Sequence, residues 1–175
     1  RSSLEVASVL VSLFSVLTPR CSHASVYPGR MSTLSEMHVI DFPGFPTVVV
    51  RGPGQSVDGL HHFMDTSFRA LGAAMGQGVF APAGPAFALY RGMTGQGLGE
   101  SVDLEVGHPV DVPPAAPLDV DGVRVEPSSL PAGRLAVAKH TGPYELLPEA
   151  WGALLDALRA DGHAPQDLCW EAYDT

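Results

Sequence analysis

Near the end of the chain, in the stretch DLCWEAYDT (167–175), an acid interrupts what otherwise reads as a short aromatic β-strand: Glu171 stands between Trp170 and Tyr173. Residues two apart in a strand share a face, so Cys169, Glu171 and Tyr173 point one way and Trp170, Ala172 and Asp174 the other. One face must meet the helices, and the expectation is that Trp170 packs on them while Glu171 and Tyr173 look away. A carboxylate stripped of part of its water costs free energy unless something pairs with it, and without a partner its pKa rises from about 4.3. Such a group is a receptor for a cation. A lipophilic cation would also stack on Tyr173, or on Tyr90 in AFALYRG (86–92), with cation–π contacts of roughly 0.5–2 kcal/mol each. The ordinary alternative is a glutamate on the solvated side of a terminal strand, paired with Arg134 or Lys139 for less than about 1 kcal/mol.

Other reactive residue types form no legible set. Cys21 and Cys169 are too far apart to suggest a metal-ligand spacing or a disulfide framework, which fits a reducing cytoplasm. The histidines are scattered, and the adjacent His61 and His62 cannot face the same way on a helix, so neither a metal nor another cofactor is expected. The run GMTGQGLG (92–99) is rich in glycine but lacks Gly-Lys-Ser/Thr and lies between two expected strands, where a hairpin loop explains it better than a phosphate cradle. Ten Lys and Arg against nineteen Asp and Glu leave a formal charge of -9, which argues against a nucleic-acid partner and is compatible with cationic ligands.

The elements that must position Glu171 follow from periodicity. A length of 175 residues at 45% hydrophobic suits one domain with a real core. The β-branched run TVVVRG (47–52) predicts a strand closed by Gly-Pro-Gly. Ser56 is then a plausible N-cap for a helix whose apolar stripe runs through Leu60, Met64, Phe68, Leu71 and Met75 and which stops at Gly76 and Gly78. AFALYRG (86–92) and SVDLEVGHPV (101–110) follow as strands, the second alternating Val102, Leu104 and Val106 with Asp103 and Glu105. Residues 111–131, rich in proline and carrying Asp121-Gly122, read as a connection. The plan then restarts with a strand at 134–142, a helix at 148–162 bearing Trp151, Leu154, Leu155 and Leu158 on one face, and the strand of Glu171. By spacing Trp151 is a core residue, as are Met64 and Met75.

Two halves of one β-α-β-β plan are therefore visible, the second a strand short, with the corollary that the natural protein continues past Thr175. Upstream, VASVLVSLFSVL (6–17) is too short for an ordinary membrane span and close to a secretory apolar region in length, and SHA (22–24) resembles a cleavage site. Against export, Glu5 stands where positive charge should precede the run, and Met31 opens a natural-looking start. Residues 1–30 are thus read as an upstream extension or vector-derived sequence with little structure, and 31–175 as the domain.

The stretch LPAGRLAVAKHTGPYELLPEAWGALLDALRADG, the closing WEAY (170–173), and FALYRG and VDLEVGHPV upstream together resemble the gyrase-inhibitor-like (GyrI-like) effector-binding domains, which also occur at the end of multidrug-sensing bacterial transcription regulators. The resemblance covers residues 38–175 and is most specific at HTGPYELL (140–147), where a strand turns into a helix through Gly-Pro-Tyr. It implies an α+β fold of two pseudo-twofold-related β-α-β-β halves, an antiparallel curved sheet with two helices on one side, and a ligand cleft between the halves. A missing final strand after YDT and the absence of a helix-turn-helix region depart from the pattern, the latter pointing to a stand-alone binding domain.

What the resemblance implies for function is a cytoplasmic domain that binds amphipathic, cationic or planar aromatic small molecules, for drug sensing or sequestration, with the glutamate carried over as Glu171 as its electrostatic anchor. Tyr173, Tyr90, Trp170 and Tyr144 are the accompanying ligand-binding candidates, although Tyr144 after the TGP turn also reads as helix-entry packing. A protein target, as for the gyrase-inhibiting members, is a further partner of the same class of domain. The alternative is a hydrolase of electrophilic cyclopropane-containing natural products, in which Glu171 activates a water and Tyr173 donates to the developing oxyanion. Neither ligand identity nor oligomeric state is legible.

Overall fold

The structure, a computed structural model, describes residues 7–16, 33–92 and 100–174. The cleavage-like SHA, the start at Met31 and most of the glycine-rich run after Gly92 lie outside the described residues. In chain order the strands and helices are β1 (Ala7–Val16), β2 (Thr33–Leu34), β3 (His38–Phe42), β4 (Phe45–Ser56), α1 (Leu60–Gly76), β5 (Ala86–Arg91), β6 (Ser101–Pro109), β7 (Leu118–Val120), β8 (Val123–Leu130), β9 (Gly133–Gly142), α2 (Leu147–Ala160) and β10 (Ala164–Asp174). The fold is α+β: two helices accompany an antiparallel sheet in the order β2-β9-β1-β10-β5-β6-β4-β8-β7, with β3 pairing β9 beside β2.

The two halves meet at the β5–β10 ladder. The first half, β4-α1-β5-β6, places its strands β5-β6-β4; the second mirrors that order outward from the seam as β10-β1-β9. The slot matching β6 is therefore filled, and by an unexpected segment. Ala7–Val16, read from sequence as part of an unstructured extension, runs antiparallel to both β10 and β9, with Val11 opposite Glu171 on one side and Ala138 on the other. A ten-residue run with no charge, proline or glycine suits a strand paired on both edges. The segment 111–131, expected as a connection, also holds two strands, since Asp121 and Gly122 with φ of 52° and 79° form the turn of the β7–β8 hairpin and β8 pairs with β4.

The helices begin and pack where periodicity places them. Ser56 accepts a hydrogen bond from the Gly59 amide at 3.2 Å, capping a short 3-10 turn that feeds α1. The stripe of α1 is centred on Ser67, Ala70, Leu71 and Ala74, with Leu60, Met64, Phe68 and Met75 half-buried on its flanks. Small residues along the centre line bring the helix close to the sheet: a Cβ at Gly52 of β4 would come within 2.6 Å of the Phe63 ring. On α2 the buried line is Ala150, Leu154 and Leu158. Both helices share one core with Val48, Val50, Tyr90, Leu104, Ala138 and Cys169, so both lie on the same side of the sheet.

The opposite side of the sheet has its own core, to which no helix among the described residues contributes. Val49, Phe87, Leu89, Leu130, Leu135, Leu168, Trp170 and Ala172 are buried there together, joined by Phe42. The connection between β3 and β4 explains how strands alone cover it. Only Pro43 and Gly44 join β3, beside β9 at one end of the strand order, to β4 near the other, so the sheet must curl until the two approach. Gly44 is needed at that corner, with φ +79° and a would-be Cβ 2.9 Å from the Leu130 carbonyl oxygen.

This arrangement corrects the expected orientation of the last strand. Trp170 does not pack on the helix layer; it is 3% exposed on the far side, its ring 5.6 Å from that of Phe42. Cys169, Glu171 and Tyr173 are the residues that face the helices. Alternation fixed which residues share a side but not which side is which, because the curled sheet offers an apolar interior as good as the helix layer.

Candidate functional site

Glu171 is 6% exposed, between Ala88 of β5 and Val11 of β1 in the ladder. The small Ala88 leaves room over the seam for the carboxylate to extend toward α2. Three neutral donors meet it there. The Trp151 indole N–H donates to Oε1 at 2.6 Å, the Tyr173 hydroxyl to Oε2 at 2.7 Å and the Tyr90 hydroxyl to the same oxygen at 3.2 Å. One phenol comes from each half and the indole from α2, so the acid is held by three elements at once.

No ion pair among the described residues involves Glu171, and neither Arg134 nor Lys139 pairs with it. Burial pushes the carboxyl above its ordinary value, and the hydrogen bonds from Trp151, Tyr173 and Tyr90, with the nearby His140, pull it part of the way back. The phenols respond in the opposite sense. Burial and the adjacent carboxylate push both Tyr90 and Tyr173 far up, so they remain protonated donors. Burial, with the same carboxylate second, also raises Cys169 and keeps it a thiol.

Tyr173 links the carboxylate to the rim. Its ring lies edge-on to Phe68 of α1, with centroids 6.3 Å apart, and 6.4 Å from Tyr144, which follows β9 and is 46% exposed. Of the residues expected at the site, Glu171, Tyr173 and Tyr90 are in direct contact, Tyr144 flanks Tyr173 at the surface, and Trp170 lies on the other side of the sheet. Trp151, expected only in the core, belongs with the first group. Its helical spacing carried no sign of this; the usable signal was chemical, since a half-buried indole N–H needs an acceptor. His140, fully buried on β9, lies on the same side, its Nε2 facing the Pro143 carbonyl at 3.4 Å.

The arrangement is a buried carboxyl whose oxygens are fixed by neutral donors and flanked by aromatic rings. Among the described residues no cluster of three or more His, Cys, Asp or Glu side chains could hold a metal, and no helix is long and apolar enough to cross a membrane. A scan against protein-family models returns no match for this chain, and a search of the curated proteins returns none.

Proposed function

We propose that the protein carries an effector-binding domain of the GyrI-like kind, which takes an amphipathic cation with a planar aromatic body at Glu171, between α2 and the β5–β10 seam. The observation that carries this reading is a carboxylate 6% exposed that accepts three hydrogen bonds, all from uncharged donors. Neutral donors lower the cost of burying the charge without cancelling it, so a cation that reaches the site supplies the missing counter-charge. Tyr173 and Tyr144 offer ring faces for the apolar part of such a ligand. The cysteine usage supports a cytoplasmic setting, and the net charge of -9 supports a small-molecule partner over nucleic acid.

The test is titration with a fluorescent lipophilic cation, rhodamine 6G, against Glu171→Gln. Gln is nearly isosteric and can keep its amide oxygen on Trp151 while its NH2 group donates to the phenols, which accept as well as donate. Binding that is saturable in the wild type and lost in the variant supports the reading; equal binding by both refutes it.

The 2.7 Å contact between Tyr173 and Glu171 favours one second reading, hydrolysis of an electrophilic cyclopropane. Glu171 would take a proton from water as its oxygen attacks the ring carbon. The breaking C–C bond would send its electrons into a conjugated carbonyl, and a tyrosine hydroxyl would donate to the resulting oxyanion. Mass analysis for a water adduct after incubation with a cyclopropane alkylator separates the two.

A further inference from the structure

The helix-facing side of the sheet buries a second group able to carry charge. His140 has no exposed surface, and its Nδ1 has no hydrogen-bond partner among the described residues. An orphaned nitrogen in the interior is costly enough to require a cause. In the ladder His140 lies opposite Val9, which lies opposite Tyr173, so imidazole and carboxylate share one side of the sheet with only β1 between their strands. The ionisable groups facing this region are few. They are Cys169 and Tyr173 on β10, Tyr90 on β5, and Tyr144 after β9. Phe68 of α1 and Trp151 of α2 add none, and β1 and β2 contain no ionisable residue in their sequences. His140 is therefore the one described group in this set that can carry positive charge.

We propose that Glu171 and His140 act as one proton-binding unit, and that a cation entering beside Glu171 does so in exchange for a proton. This rests on the ligand reading above and adds its regulation. An empty site with the carboxylate ionised would leave a net negative charge walled by tyrosine, tryptophan and aliphatic surface; a proton held by the pair removes it. The arriving cation makes that proton redundant. The sign of the linkage follows: as pH falls through the titration of the carboxyl, each cation must expel a proton, and affinity declines by about tenfold per pH unit. On the alkaline side no proton is released and affinity levels off. His140 acts through Glu171 as a positioning residue for the proton.

Two measurements decide this. Calorimetric titration with tetraphenylphosphonium, whose charge is permanent, in two buffers of different ionisation enthalpy counts the protons released. The count should approach one per cation at the acid end and zero at the alkaline end. Without ligand, the 13C carboxyl titration of Glu171 should move to higher pH in His140→Gln, a variant that keeps a donor for the Pro143 carbonyl. Saturable binding with no proton released at any pH overturns the exchange and leaves the ligand reading intact. A carboxyl titration unmoved by His140→Gln overturns the coupled unit. No binding at any pH, with the carboxyl titration still moved, overturns the ligand reading and the exchange together and supports only the coupling of the two groups.

Discussion

Trp151→Phe removes the indole N–H that reaches Glu171 at 2.6 Å and keeps an aromatic ring at the same place on α2. A hydrogen bond to a charged group contributes about 1.5–3 kcal/mol, and no other described donor reaches Oε1 to replace it. The variant should lose about that much stability at neutral pH, which for a chain of this size lowers the melting temperature by about 3–12 °C. The smaller ring also loses packing, so the bond must be separated from the volume change, and pH does that. The indole favours the ionised acid, so its removal pushes the Glu171 carboxyl further above its ordinary value of 4.5. A carboxyl raised in the folded state binds its proton more tightly there than in the unfolded chain. Stability therefore falls as pH rises from the ordinary value through the raised one, and falls further in the variant. The gap between wild type and Trp151→Phe should be widest at neutral pH and shrink toward about pH 4.5. Urea unfolding at both pH values measures it. A gap that is the same at both, or one under about 0.5 kcal/mol at neutral pH, would mean that Trp151 only packs and that the carboxylate is not held by it.

Glu171→Gln should melt at a higher temperature than wild type at neutral pH and lose this pH dependence, because it removes a charge that burial opposes while the hydrogen bonds can be kept; a lower melting temperature at neutral pH contradicts it. Trp170→Ala should cost about 3–5 kcal/mol by emptying part of the second core, while the folded fraction binds the rhodamine probe as wild type does, since the ring lies across the sheet from Glu171. Reduced probe affinity in the folded fraction would return Trp170 to the site. Val11→Pro should destabilise by about 3 kcal/mol or more if Ala7–Val16 is a strand paired on both edges; a loss under about 0.5 kcal/mol, as at an unpaired surface position, would remove it from the sheet.

Much of the scaffold was legible because its patterns are local. Val102, Leu104 and Val106 alternate with polar residues as a half-buried strand must, and Ser56 caps the entry to α1 as its side chain allows. Tyr90, Glu171 and Tyr173 could be grouped from strand parity and the likeness of the two halves. What local patterns could not give was the partner of each surface. Trp170 was assigned to the wrong side because parity leaves two orientations, and the choice is made by Pro43-Gly44, far away in sequence, through the curl of the sheet. Ala7–Val16 reads as part of an upstream extension because an uncharged run of that length is close to a secretory apolar region and nothing within it names its partners; pairing with both β9 and β10 makes it a strand. Trp151 was read as core because helical spacing reports the direction of a side chain and says nothing of where its one polar atom ends.

The choice of donors bears most directly on what the carboxylate is for. A lysine or arginine at the place of Trp151 would also satisfy Glu171, and in a region of low effective dielectric it would do so more strongly than an indole. It would, however, leave no net charge. Trp151, Tyr90 and Tyr173 fix both oxygens in position from α2 and the two central strands, and each donates a proton without bringing a positive charge. Their burial raises the phenols far above the physiological range, so none of the three ionises in the carboxylate's place. The outcome is a carboxylate whose oxygens are fixed by neutral donors before any partner arrives, with His140 the one described group on this side that can offset its charge. Preorganised dipoles around a retained charge are how a site favours an incoming opposite charge over water, because nothing has to reorient when it binds.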